Sequence, residues 1–301
     1  MKSLARRLAP LAIVAALALT ACSSPAPEPT STRAADEADP ALEKLLPDSI
    51  RESGVMKIGS SLATAPVNYT DANDQPTGLY VDMLNIAAAK LGITIDWVRI
   101  PYAGLRAALE SGRLDGAIPY STTPINLEKL DVVPIAQQFQ GLLIPAGNPK
   151  HIKKIDDLCG LTIAFTNGSL PAQEAAQKIA ADCEKKGKPT TASGYPSAAE
   201  ATTSIKSGRA DALVNTNIQN LYDASQSDAF ETALFDEMAE AFGSFPQGLG
   251  FLNTDHTLGT AVAAAMAASQ KDGSYLKVLK KYKMADLELT DPIELATKDG
   301  K

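Results

Sequence analysis

The chain has 301 residues, 45% of them hydrophobic, and a formal net charge of −7. That charge argues against nucleic-acid binding, which needs basic patches. The apolar content can build real cores, and the roughly 260 residues left after the N-terminal segment suit two medium domains or one large one.

Lys2, Arg6 and Arg7 give a positively charged start, followed by an apolar run from Leu8 to Ala21. That run is too short to cross a hydrocarbon core of ~30 Å, which takes roughly 20 residues, so it reads as a secretory signal over residues 1–21. Leu19-Thr20-Ala21-Cys22 resembles the bacterial lipobox, whose Cys accepts a lipid and becomes the new N-terminus; an ordinary signal peptide holding a Cys is the alternative. Residues 22–46 form the expected tether. From Ser23 to Asp39 it is rich in Ser, Pro, Thr and Ala, a composition that buries no core. No second long apolar stretch follows. The expected product is a protein lipid-anchored through Cys22 to the outer face of the cell membrane.

Short apolar runs then alternate with amphipathic helices. Val55–Gly59 reads as a strand, and Ser60–Pro76 as a turn-rich loop. Tyr80–Leu91 reads as a helix with Met83, Leu84, Ala87, Ala88 and Leu91 on one face and Gly92 as its stop. Ile93, Ile95 and Trp97 alternate as a strand. Gly104–Ser111 is a short helix and Leu114–Ile118 the next strand. This alternation predicts an α/β fold with a largely parallel sheet. Ser111-Gly112-Arg113-Leu114-Asp115 ends one helix and opens one strand, and Ser207-Gly208-Arg209-Ala210-Asp211 repeats the pattern. Matching turns in matching contexts suggest two similar lobes; a common turn used twice is the plainer reading.

Cys159 and Cys183 remain once Cys22 is assigned to lipid. An exported compartment permits a disulfide, and closing a loop of about 25 residues contributes roughly 3 kcal/mol by chain-entropy arithmetic; two buried thiols are the alternative. Two cysteines with the scattered His151 and His256 make no zinc site, and neither a metal nor a cofactor is expected.

Pro145–Pro149 and Gly243–Pro246 break the pattern and read as two crossings between lobes. Lobe 1 would hold residues 47–147 plus 246–301, and lobe 2 residues 148–245. The helices Thr257–Lys271 and Tyr275–Lys281 would return to lobe 1. Two lobes on two crossings make a hinge, with the ligand in the cleft.

Gly54–Gly59, Gly78–Met83, the two Ser-Gly-Arg-x-Asp turns, Asp156–Ala164 and Asp272–Tyr275 occur in an order that resembles the extracellular solute-binding proteins of polar amino-acid ABC importers, over about Pro47 to Met284. The resemblance implies a two-lobed periplasmic-binding-protein-like fold of type II. It implies a monomer that captures a small-molecule solute by lobe closure, is not an enzyme, and delivers to a permease with a separate ATPase, since the chain has no phosphate-binding Walker loop. A ligand-sensing lipoprotein, or a dehydratase-like enzyme with Glu128 and Asp131 near the cleft, are the alternatives.

Relatives that bind α-amino acids use an Arg for the carboxylate and an Asp for the ammonium. Here the Arg position falls on Asn126 or Leu127, and Thr216 stands where the Asp would be. Leu170 occupies the usual hydroxyl position of the turn after lobe 2's first strand, beside Asn167 and Ser169. Tyr102 aligns with the stacking aromatic, with Tyr69 and Tyr120 as companions and Thr122 alongside. An unpaired buried charge is costly, so the cargo is expected to be amino-acid-like or a neutral polar or aromatic solute. Gln137, Gln138 and Gln140 are weaker candidates near the first crossing.

Overall fold

The computed structural model describes residues 38–233 and 235–300. The leader, Cys22 and the first part of the tether lie outside the described residues. Among the described residues the strands run in order: β1 Val55–Ser60, β2 Ala63–Thr64, β3 Asn68–Thr70, β4 Pro76–Thr77, β5 Thr94–Arg99, β6 Gly116–Ser121, β7 Leu130–Ala136, β8 Gln140–Pro145, β9 Thr162–Thr166, β10 Thr191–Tyr195, β11 Ala212–Thr216, β12 Phe230–Ala233 and β13 Gln247–Leu252. The helices are α1 Pro40–Glu43, α2 Asp48–Ser53, α3 Leu79–Lys90, α4 Tyr102–Glu110, α5 Pro124–Leu127, α6 Leu170–Lys185, α7 Ala198–Lys206, α8 Asn217–Gln226, α9 Phe235–Phe242, α10 Thr257–Lys271 and α11 Ser274–Lys281.

Two five-stranded sheets carry the fold, ordered β5-β1-β6-β13-β7 and β10-β9-β11-β8-β12. They are the same sheet drawn twice. In each, the first strand (β1 or β9) lies parallel between two neighbours. In each, the fourth strand (β13 or β8) runs antiparallel to both of its neighbours. The largely parallel expectation holds, with one reversed strand per sheet. That strand is the one the chain forms on entering a sheet from the other.

The repeated turn explains part of this symmetry. Gly112 and Gly208 both sit at φ +69°, a left-handed conformation that stops α4 and α7. The aspartates that follow do the same work in each sheet. Asp115 exchanges bonds with Lys57, its Oδ2 accepting from the Lys57 N–H at 2.7 Å and its own N–H donating to the Lys57 carbonyl at 2.9 Å. Asp211 does so with Thr162, at 2.9 and 2.7 Å. A carboxylate at this position ties the incoming strand to the first strand of its sheet.

Both faces of both sheets are covered, so neighbouring strand residues go to different cores. Ile118 joins the core under α3, α10 and α11, while Ala117 and Tyr120 join the one under α4. Ile163 and Phe165 face α6, while Ala164 and Leu213 face α7. Tyr275, fully buried, fastens the C-terminal segment: its hydroxyl donates to the Ile135 carbonyl at 2.9 Å and accepts from the Leu289 N–H at 3.0 Å. Cys159 and Cys183 are disulfide-bonded, tying the start of the second sheet to the last turn of α6.

Two expectations need correcting. The tether does not extend to residue 46: Pro40–Glu43 is helical, the Asp39 N–H donates to the Lys90 carbonyl at 2.9 Å, and Leu46 is buried in the core that α3 packs on. The first crossing does not lie near Gly147. Gln140–Pro145 already pairs with β11 and β12, so the chain leaves the first sheet between Ala136 and Gln140. The apolar run Leu142–Ile144 announces a strand, but its partners are set by tertiary pairing. The return lies between Ala233 and Gln247, by way of α9.

Candidate functional site

The two crossings meet. Phe139 and Ser244 form an antiparallel bridge, the Phe245 N–H donates to the Gln138 carbonyl at 2.9 Å, and the Ser244 hydroxyl donates to Gln137 Oε1 at 2.8 Å. Asn217, fully buried at the start of α8, clasps the first crossing. Its Nδ2 donates to the Gln137 carbonyl at 3.0 Å and its Oδ1 accepts from the Phe139 N–H at 3.3 Å. Among the described residues, these bridged segments carry the chain from the first sheet to the second and back.

A cavity lies on each side of Gln138. One, of about 310 Å³, is walled by Ser121 at the end of β6 and Thr123 just past it, by Pro171, Glu174 and Ala175 on the first turns of α6, and by residues of both crossings. The crossings contribute Gln138, Phe139 and Gln140 on one strand and Phe242, Gly243 and Phe245 on the other. The second, of about 200 Å³, lies between the Thr64–Val67 loop, Pro119 and Gln247 on one side and Thr216, Ile218 and Gln219 on the other. The first is at the small end of the ~300–1,000 Å³ typical of ligand sites. Three larger depressions, about 770, 610 and 390 Å³, lie elsewhere among the described residues. None is lined by a residue of a crossing, so none is opened or closed by a movement of one sheet against the other.

The polar groups here are unevenly satisfied. Tyr80 donates its hydroxyl to Gln247 Oε1 at 2.8 Å. Thr216 caps α8 by accepting from the Gln219 N–H at 3.3 Å. Gln219 donates from Nε2 to Asp223 at 2.8 Å, and burial raises the Asp223 pKa above its ordinary value. By contrast, Oε1 of Gln138 and Oε1 of Gln140 are buried and accept no hydrogen bond from the described residues.

The residues singled out from sequence scatter around these cavities. Thr216 lines the smaller one. Thr122 stands between Ser121 and Thr123, its N–H donating to the Pro246 carbonyl at 2.9 Å. Asn126 spends its amide on the turn after β6, donating to the Ser121 carbonyl at 2.9 Å and Oγ at 3.1 Å. Ser169 and Leu170 open α6 just before the cavity-lining Pro171; Leu170 is 63% exposed. Asn167 is exposed, and its Oδ1 fills the space a side chain on Gly194 would need, 2.0 Å from the Cβ position. Tyr102 and Tyr120 have ring centroids 5.9 Å apart; Tyr120 is buried under α4 with its pKa raised by burial, while Tyr102 is 56% exposed. Tyr69 lines neither cavity and stands close enough to Tyr282 to help raise its pKa, a shift led by burial. Glu128 and Asp131, the acids of the enzyme alternative, are engaged elsewhere: Glu128 with Lys298 at 2.7 Å and Asp131 with His256.

Glu174 and the phenylalanines of the crossings were not singled out. Pro171, Glu174 and Ala175 are spaced i, i+3 and i+4, the stripe one helix face presents, and that spacing was the available signal. Among the described residues no group of three or more His, Cys, Asp or Glu is placed to hold a metal, and no helix is long and apolar enough to cross a membrane.

Residues 56–285 match the bacterial extracellular solute-binding proteins, family 3. The arginine-binding protein ArgT of Corynebacterium glutamicum is 23% identical over 247 residues, 81% of this chain and 79% of that one. The probable amino-acid-binding protein YxeM of Bacillus subtilis is 26% identical over 243 residues, 79% and 88% of the two chains. Among solved structures, an ancestral cationic amino acid solute-binding protein superposes with a TM-score of 0.68 at 26% identity, covering 79% of this chain and 99% of that one. The second substrate-binding domain of Lactococcus lactis GlnP, in an open conformation, shares the fold with a TM-score of 0.64 at 22% identity, covering 79% and 97%.

Proposed function

The chain belongs to the bacterial extracellular solute-binding proteins, family 3, and from that premise we propose that it is the substrate-binding lipoprotein of an amino-acid ABC importer. It captures an amino-acid-like solute between its two sheets and hands it to a membrane permease whose ATPase is a separate chain. The single observation that carries this reading is the pair of crossings bridged at Phe139 and Ser244, with cavities on both sides of Gln138. A short double-stranded connection bends as a unit, and a ligand beside it touches both sheets at once. The names of the relatives, one for arginine and one for amino acids generally, support the class of cargo.

In this reading Cys22 carries the lipid and residues 22–37 hold the binding lobes near the permease, raising the local concentration there. The protein works as an extracytoplasmic monomer. Thr216, Thr122, Ser169 and Leu170 are proposed contacts or near neighbours of the cargo, and Tyr102 a ring at the rim. The anchor is tested by mass spectrometry of the membrane-bound protein, with Cys22→Ala expected to release it.

A broad solute library in a thermal-shift format tests capture. A true cargo at a hundred times its dissociation constant stabilises the fold by roughly 2.7 kcal/mol. A library in which no small solute raises the midpoint would sink the proposal. Uptake of labelled cargo that stops when the permease is deleted separates delivery from sensing.

A further inference from the structure

The lining of the 310 Å³ cavity has a one-sided chemistry. Among the described residues that line it, Glu174 is the single charged group, it forms no ion pair with the described chain, and there is no Lys or Arg. Gln140 is 8% exposed, and its Oε1, like that of Gln138, is buried without a donor among the described residues. Buried acceptors of this kind are costly unless something supplies a hydrogen bond. Ser121 and Thr123 add hydroxyl oxygens that accept, and Phe139, Phe242 and Phe245 add aromatic residues to the lining.

We propose that this cavity takes the head group of a cationic solute, an alkylammonium or guanidinium, held by Glu174 and by Oε1 of Gln138 and Gln140. The inference rests on the solute-binding reading and names the class of cargo within it. A cation rich in N–H groups satisfies every feature of the lining. Its charge pairs with Glu174, and charge-assisted N–H···O bonds reach the two amide oxygens. An aromatic lining suits a cation, which the face of a ring attracts through its quadrupole. A carboxylate head would meet the Glu174 charge with no cation to offset it, and a neutral head would leave Glu174 unpaired. The terminal torsion of a glutamine is soft. With no hydrogen bond to break, each amide turns its oxygen towards the cavity at little cost. This extends the sequence argument. The usual Arg and Asp are missing at Asn126 and Thr216, but an acid enters from α6, where the family pattern gave no reason to look.

The test uses two isosteric pairs on the full-length protein by titration calorimetry: L-arginine against L-citrulline, and L-lysine against L-norleucine. The cationic member of at least one pair is expected to bind about 30-fold more tightly or better. In Glu174→Gln that ratio should fall towards one, with partial recovery in Glu174→Asp. Glu184→Gln, on the exposed far end of α6, should leave the ratio as in the natural protein. The unliganded thermal midpoint of each variant separates loss of preference from loss of fold. Equal binding within both pairs, or a preference that survives Glu174→Gln, overturns the inference. If the pairs are silent but neutral or anionic solutes bind, this inference fails and the solute-binding reading stands. If no solute binds, both fail.

Discussion

The Asn217 side chain donates to the main-chain carbonyl of Gln137 at 3.0 Å, so the first residue of a second-sheet helix holds the strand by which the chain leaves the first sheet. Because Asn217 is fully buried, Asn217→Leu leaves the half-buried Gln137 carbonyl without that donor. The expected loss is ~1–3 kcal/mol, read as a lower urea midpoint. Asn217→Asp keeps the acceptor facing Phe139 but turns a carboxylate towards a carbonyl oxygen. Its deficit relative to the natural protein should therefore be larger at pH 7 than at pH 4, where protonation restores a donor.

The disulfide closes a loop between residues 24 apart in sequence. The double variant Cys159→Ser with Cys183→Ser should lose about 3 kcal/mol by the loop-closure argument. Added reductant should shift the natural protein towards the variant and leave the variant unmoved. An equal urea midpoint for the two oxidised proteins would show that the bond contributes nothing.

Near the C-terminus, His256 Nδ1 contacts the carboxylate of Asp131, which is 1% exposed. That hydrogen bond, then the Asp131 charge, raises the His256 pKa above its ordinary value, with smaller help from Asp255 and Asp299. A raised folded-state pKa gives stabilisation that is complete below the unfolded value of about 6.5 and is lost as pH rises through the folded one. The natural protein should therefore lose thermal stability relative to His256→Gln as pH climbs from below 6 into the alkaline range. Parallel curves for the two proteins would refute the pairing.

Much of this architecture was written locally. The two Ser-Gly-Arg-x-Asp turns announced two lobes because their Gly and Asp act on neighbours close in space: the Gly stops a helix, and the Asp bonds to the first strand of its own sheet. The α4 helix begins two residues before its predicted start because Pro101 precedes it with φ −54°, an angle suited to a helix entrance. The crossing was misplaced for a different reason. Leu142–Ile144 is apolar in either sheet, and only its pairing with Leu213 and Thr232 assigns it. Glu174 escaped notice because an exposed glutamate on an amphipathic helix looks like any solvated charge until the crossings are folded against it.

Gly248 is the position where the second crossing becomes a strand, and a side chain there has nowhere to go. A Cβ would stand 1.9 Å from the Val133 carbonyl oxygen and 2.9 Å from the Ile135 nitrogen. Both are backbone atoms of β7, so no rotamer change relieves the contact. The pairing of β13 with β7 also shifts register between Gln247 and Gly248, the kind of irregularity that re-aims a strand beside a site. Gly248→Ala must push β13 off β7 and shift Gln247, whose Oε1 accepts the buried Tyr80 hydroxyl at 2.8 Å. The expected cost is about 3 kcal/mol, the upper end for overpacking, with cargo affinity falling as well. Gly112→Ala makes the contrast. Its Cβ meets nothing within 4 Å, so its cost is that of a left-handed φ alone, about 1–2 kcal/mol, with affinity retained. Equal losses of stability and affinity in the two variants would show that the β13–β7 contact has no special part in setting the geometry of the crossing.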